Sequence, residues 1–222
     1  METVLSPLRR NLSLTDIKFI ANCLGKSPEE DEALWHLLVD ADTVDSILDQ
    51  PKLLQTVLES YEHLSISSRL YFYLVTRHSL RSSGLDDAEL ADYVSGVLDA
   101  NLTGPRIDGH RQAIFYVVDW LQQLEACPDD RRYQLYVSAG NYLLYLTGVF
   151  PQFLNERTRR RGAPGLAYYE DFARFSFRSA SQYPDNPLAE PRAELYEQLA
   201  ENFSEVRHAL NDLSERLIHL DS

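Results

Sequence analysis

Glu205 and His208 stand three residues apart, the spacing with which one helix face offers a carboxylate and an imidazole to a metal in di-iron carboxylate bundles. Such a centre needs a second Glu-x-x-His pair and two further glutamates around one cavity, and the chain has no second pair. Glu32/His36, Glu59/His63 and Glu215/His219 are four residues apart, a spacing that usually marks a solvated helix face. Gly104 and Gly109 have the separation of a phosphate-binding loop. His110-Arg111 comes next, however, where a Lys and a hydroxyl would have to reach the terminal phosphates and Mg²⁺. G-x-S-x-G, H-E-x-x-H and C-x-x-C do not occur. No catalytic residue, metal site or cofactor is expected, and a non-enzymatic role is favoured.

Polar residues inside apolar runs are the next candidates. Arg69 and Arg77 bracket Leu70-Tyr71-Phe72-Tyr73-Leu74-Val75 and fall within about 80° of each other on a helix. His78 is the next residue. Asp119 stands between Phe115-Tyr116-Val117-Val118 and Trp120-Leu121, and Asn141-Tyr142 lies within Ser138-Ala139-Gly140 and Leu143-Leu144. An unpaired buried charge costs several kcal/mol, so each must face solvent or find a partner. One reading is a structural network in which Asp119 satisfies Arg77. The other is a ligand pocket for an anionic small molecule, with Arg69, Arg77 and His78 binding the acid, Asp119 orienting it, and Asn141 and Tyr142 completing the wall.

The third candidate is a basic segment in an acidic protein. The 222 residues carry 21 Lys+Arg and 34 Asp+Glu, a net charge of −13. Residues 131–182 alone hold eight basic and three acidic side chains, a net +5, so the rest of the chain carries −18. Within that segment Arg157, Arg159, Arg160 and Arg161 precede Gly162, where arginines would complement a helix's negative end and glycine would cap it. The same arginines would also suit an anion or an acidic partner surface. Beyond them, Tyr168, Phe172 and Phe175 form an i, i+4, i+7 stripe expected to be core, and Glu170, Arg174 and Arg178 share a different face. Arginines with aromatics can stack bases. The overall charge nevertheless argues against a nucleic-acid or anionic-membrane partner.

These residues lie on a chain that reads as all-α: a compact multi-helix bundle of roughly eight to ten helices in a single domain spanning residues 1–222. Two apolar helices, about 66–81 and 110–125, are expected at its centre. Helix starts are signalled at Ser13 or Thr15, at Ser27-Pro28-Glu29-Glu30 and at Asp86 with Glu89, and Ser82-Ser83-Gly84 is a break. The turn at 82–85 is the best linker candidate, although short. Gly148 and Pro151 should kink or split the helix beyond residue 147. The chain closes with a long amphipathic helix. On it Phe203, Val206, Leu210, Leu213, Leu217 and Leu220 are spaced 3, 4, 3, 4, 3. Such a seam serves either packing on the protein's own bundle or a homodimer.

The bulk properties set the remaining bounds. Twenty-three uncharged residues separate Arg132 from Glu156, long enough to span a bilayer. Gln134, Ser138, Asn141, Pro151, Gln152 and four tyrosines within them instead point to a buried helix and no membrane span. Cys23 and Cys127 are the only cysteines, which fits a reducing cytoplasm, and residues 1–10 lack the apolar run of a secretory signal. The expectation is a cytoplasmic helical protein acting by protein–protein contact, with an unidentified protein or a second copy of itself.

Overall fold

The computed structural model of the protein describes residues 7–25, 37–38, 40–59, 65–102, 117–183 and 190–220. Among them all regular structure is helical, with eleven α-helices and no strand. The chain packs as two compact units, within Val4–Thr103 and Gly104–Ser222. The division falls at Thr103-Gly104, and the turn at 82–85 lies inside the first unit.

The N-terminal unit contains a 3₁₀ turn (Leu8–Arg10), α1 (Leu14–Leu24), α2 (Ala41–Leu48), α3 (Pro51–Glu59), α4 (Ser68–Ser82) and α5 (Ala88–Leu102). Ser13 caps α1: its hydroxyl accepts from the Asp16 amide at 3.1 Å, and the Asp16 carboxylate accepts from the Ser13 amide at 3.0 Å. This reciprocal box satisfies two amide donors that the first helical turn cannot. The same carboxylate accepts from the Ser67 amide at 2.7 Å and the Ser67 hydroxyl at 2.8 Å. Ser67 in turn caps α4 by accepting from the Leu70 amide. One fully buried carboxylate thus fixes the starts of two helices against each other. The α4 helix packs on α3, α5 and the 3₁₀ turn. It ends at Gly84, whose φ of +86° allows Leu85 N–H to reach the Leu80 carbonyl and Gly84 N–H the Arg81 carbonyl. The α5 helix is buried continuously from Leu90 to Leu98. Its cap is Asp87, which accepts from the Leu90 amide at 2.8 Å, and not Asp86. The start expected at residues 27–30 lies outside the described residues.

The C-terminal unit contains α6 (Val117–Ala126), α7 (Asp129–Val149), α8 (Pro151–Arg161), α9 (Leu166–Ser181), a 3₁₀ turn (Glu190–Arg192), α10 (Ala193–Glu201) and α11 (Phe203–Leu220). Its centre is α7, which carries most of the uncharged run and packs on α6, α8, α9 and α11. Two glycines let neighbours approach closely. A Cβ on Gly140 would lie 2.8 Å from the Phe177 ring of α9, and one on Gly148 would lie 2.8 Å from Leu210 of α11. Among the described residues no helix is long and apolar enough to cross a membrane. The helix expected at the centre over 110–125 is described only as α6, residues 110–116 lying outside the described part. That part buries Val117 and Leu124 while exposing Asp119, Leu121, Gln122, Gln123 and Glu125, so it is a peripheral helix. The chain does break where Gly148 and Pro151 predict: α7 stops at Val149, and Pro151 opens α8.

Candidate functional site

The arginines singled out on α4 are neutralised within their own unit. Arg69 donates to the Asp92 carboxylate at 2.5 Å, to the Asp92 carbonyl at 2.7 Å and to the Ser95 hydroxyl at 2.6 Å. Its guanidinium lies over Gly96, where a Cβ would come within 2.9 Å of Nη2. Arg77 is clamped edge-on by Asp49, with Nε and Nη2 each 2.9 Å from one carboxylate oxygen, and lies 2.6 Å from Asp86. Burial opposes the Arg77 charge, but the hydrogen bonds and field of Asp49 outweigh it and hold Arg77 above the usual arginine range. For Arg69 burial prevails over Asp92 and Asp99 and lowers it. Arg9 of the 3₁₀ turn reaches Asp45 at 2.5 Å and Asp92 at 3.6 Å, and Leu8 N–H donates to Asp92 at 3.0 Å. Four arginines, including Arg81 between Asp49 and Asp86, therefore share four aspartates.

This arrangement corrects the expected pairing. Arg77 is satisfied by Asp49 and Asp86, and Asp119 is exposed on α6. His78 is exposed as well. The surface position of Asp119 removes the penalty that would have demanded a buried partner. Asn141 is buried and Tyr142 half-buried on α7, and burial raises the Tyr142 hydroxyl above the usual range. Glu205 and His208 are both exposed on α11.

In the C-terminal unit, Arg159, Arg160 and Arg161 form the last turn of α8, and Gly162 comes next in the left-handed conformation with φ +62°. All three are exposed, and Arg160 reaches back to Glu156 at 3.2 Å. Arg157 lies 5.7 Å from the Phe153 ring centre. The helix-end role of this cluster is thus realised, with its outward guanidinium groups left in solvent.

The α9 helix departs most from expectation. Its inward face is Tyr169, Glu170, Ala173, Ser176, Phe177 and Ala180, packed against α7, α10 and α11. Phe177 stacks on Tyr196 at 6.0 Å and touches Phe203 at 6.4 Å. The stripe expected to be core points the other way: Tyr168 is 42% exposed, Phe175 49% exposed and Phe172 half-buried. Two apolar stripes overlap on this helix, and the one containing small residues enters the core because Ala173, Ser176 and Ala180 admit close neighbours. Phe172 and Phe175 stack at 6.0 Å, and Tyr136 of α7 meets Phe175 edge-on at 5.9 Å. Beside them Asp171, Arg174, Phe175, Arg178, Ser179 and Gln182 line an open groove of about 300 Å³.

Glu170 and Arg174 do approach each other, at 3.7 Å, but Glu170 is buried and its closest cation is Arg207 of α11 at 2.5 Å. Ser204 donates to Glu170 at 3.2 Å and accepts from Arg174 at 2.5 Å. Arg174 also meets Asp171 at 3.6 Å. Arg178 is exposed and makes no ion pair among the described residues.

The C-terminal seam is the core of this unit. Phe203, Val206, Leu210 and Leu213 are buried in the single chain, with α11 packed on α7, α9 and α10. These side chains are occupied, so the homodimer expected on this seam loses its surface. Leu217 and Leu220 have side chains outside the described residues.

Sequence reasoning passed over Tyr136, Asp171, Ser179 and Gln182 as members of one surface with Phe175 and Arg178. The only signal was the doubled stripe on α9. No protein-family model matches the chain, and no curated protein or solved structure matches it either.

Proposed function

We propose that the protein is non-enzymatic and acts by protein–protein contact through the outward aromatic face of α9, in a reducing cytoplasm that would keep Cys23 and Cys127 as thiols. The observation that carries this reading is the exposure of Tyr168 and Phe175 on a helix whose opposite face already fills the core. A large ring left in water forgoes the burial that would favour it by about 1.5–3 kcal/mol, so a cluster of such rings marks a surface that is covered in use. Aromatic rings beside arginine are also the composition of interface hot spots. The competing reading, an internal anion pocket on Arg69 and Arg77, has lost its support, since each of these cations already meets a carboxylate.

The test is in-host photo-crosslinking with p-benzoylphenylalanine in place of Phe175, Tyr168 or, as a control, Leu58, an exposed side chain of α3. The expected result is one discrete adduct from positions 168 and 175 and none from 58. No adduct, or the same adducts from all three positions, would contradict the proposal.

A further inference from the structure

We propose that the segment docking on α9 is acidic: a peptide stretch of another protein that sets one or two carboxylates beside an apolar anchor. This rests on the contact reading above and adds the chemistry of the partner. Tyr168, Phe175 and Gln182 are seven residues apart, so they align along one face and rise about 10 Å per step. Phe175 is the centre of that line, backed by Phe172 and by the edge of Tyr136. An apolar side chain laid there would be covered on two sides by rings. One turn further on, Arg178 projects beside the groove with no carboxylate of its own among the described residues, whereas Glu170 and Asp171 engage Arg174 and Arg207.

The charged side chains lining the groove (Asp171, Arg174 and Arg178) leave one net positive charge, and Arg178 is the one that pairs with no carboxylate among the described residues. A guanidinium there offers a paired fork of donors to a carboxylate, and Ser179 and Gln182 add neutral polar groups at its edge. A single net charge on a protein of −13 is too little to hold a phosphate backbone, which draws its affinity from neutralising several phosphates at once. It suffices to select a carboxylate at the rim of an apolar contact, where charge governs choice of partner more than total affinity.

The experiment selects peptides from a random phage-displayed library on the immobilised full-length protein, in parallel with Phe175→Ala and Arg178→Glu. Both side chains are exposed, so both variants should melt as the parent does. The expected outcome is enrichment of peptides bearing Asp or Glu next to Leu, Phe or Trp, lost on both variants. A synthetic peptide from that set should bind Arg178→Glu roughly tenfold more weakly, and its lysine-substituted counterpart should reverse the preference. Peptides that need Phe175 but are neutral, basic or indifferent to Arg178→Glu would overturn the acidic partner and leave the contact reading standing. No enrichment dependent on Phe175 would overturn both. An oligouridylate that displaces the peptides and itself needs Phe175 and Arg178 would overturn the proposal in favour of a nucleic-acid partner.

Discussion

Arg77 and Asp49 meet as a planar pair, two nitrogens of the guanidinium each 2.9 Å from one oxygen of the carboxylate. The pair joins α4 to the residue just past the end of α2, and Asp86 approaches the same Nη2 of the arginine at 2.6 Å. Removing Asp49 would leave the buried Arg77 with one exposed partner. Asp49→Ala is therefore expected to cost about 2–3 kcal/mol in urea unfolding. Asp86, with its side chain 61% exposed, should cost under about 1 kcal/mol when changed to Ala. Equal costs would mean that the edge-on geometry is not what holds Arg77.

Tyr73 lies within this network with its hydroxyl buried and without a hydrogen-bond partner among the described residues. Burial raises its pKa, and Asp45 and Asp49 raise it further against the opposing pull of Arg77 and Arg9. Because the folded value lies above the unfolded one, the neutral ring contributes its full stability below about pH 10 and loses it as pH rises further. Tyr73→Phe should leave stability at pH 7 unchanged or raise it by up to about 1 kcal/mol, and should flatten the decline between about pH 10 and 12. A loss above about 1 kcal/mol at pH 7 would show that the hydroxyl is satisfied.

Gly140 gives way to the Phe177 ring, which stands where a Cβ would be. Alanine is the better helix former by about 1 kcal/mol, but forcing the ring aside costs about 1–3 kcal/mol in a close-packed core. Gly140→Ala should therefore destabilise the protein by up to about 2 kcal/mol, and Phe177→Leu in the same chain should relieve part of that loss. A stabilised Gly140→Ala would mean that α7 and α9 are not packed at this distance.

Asp119→Ala separates the sequence-based expectation from the structure. A buried Asp119 paired with Arg77 would make this change costly, whereas an exposed carboxylate on α6 should change the unfolding free energy by less than about 0.5 kcal/mol. A shift of several kcal/mol in thermal unfolding would restore the buried pairing.

Much of the fold was legible because helix boundaries are local. Ser13 acts through a hydroxyl that reaches only three residues on, and Gly84, Pro151 and Gly162 act through their own backbone; each marks a real start or stop. The partners of Arg69 and Arg77 were not legible. Asp92 and Asp49 sit on other segments, and nothing in the spacing of a single chain records which helices face each other. On α9 the difficulty was different. Both stripes satisfy helical periodicity, and what distinguishes them is the fit of the small-residue face of α9 against α7, where Gly140 leaves room for the Phe177 ring.

The most direct test of the outward aromatic face is hydroxyl-radical footprinting of the full-length protein, read by mass spectrometry at four rings of α9. Tyr168 and Phe175 should be oxidised rapidly, and Tyr169 and Phe177 should be protected. Protection of Phe175 with rapid oxidation of Phe177 would contradict the orientation of α9 on which the docking proposal stands.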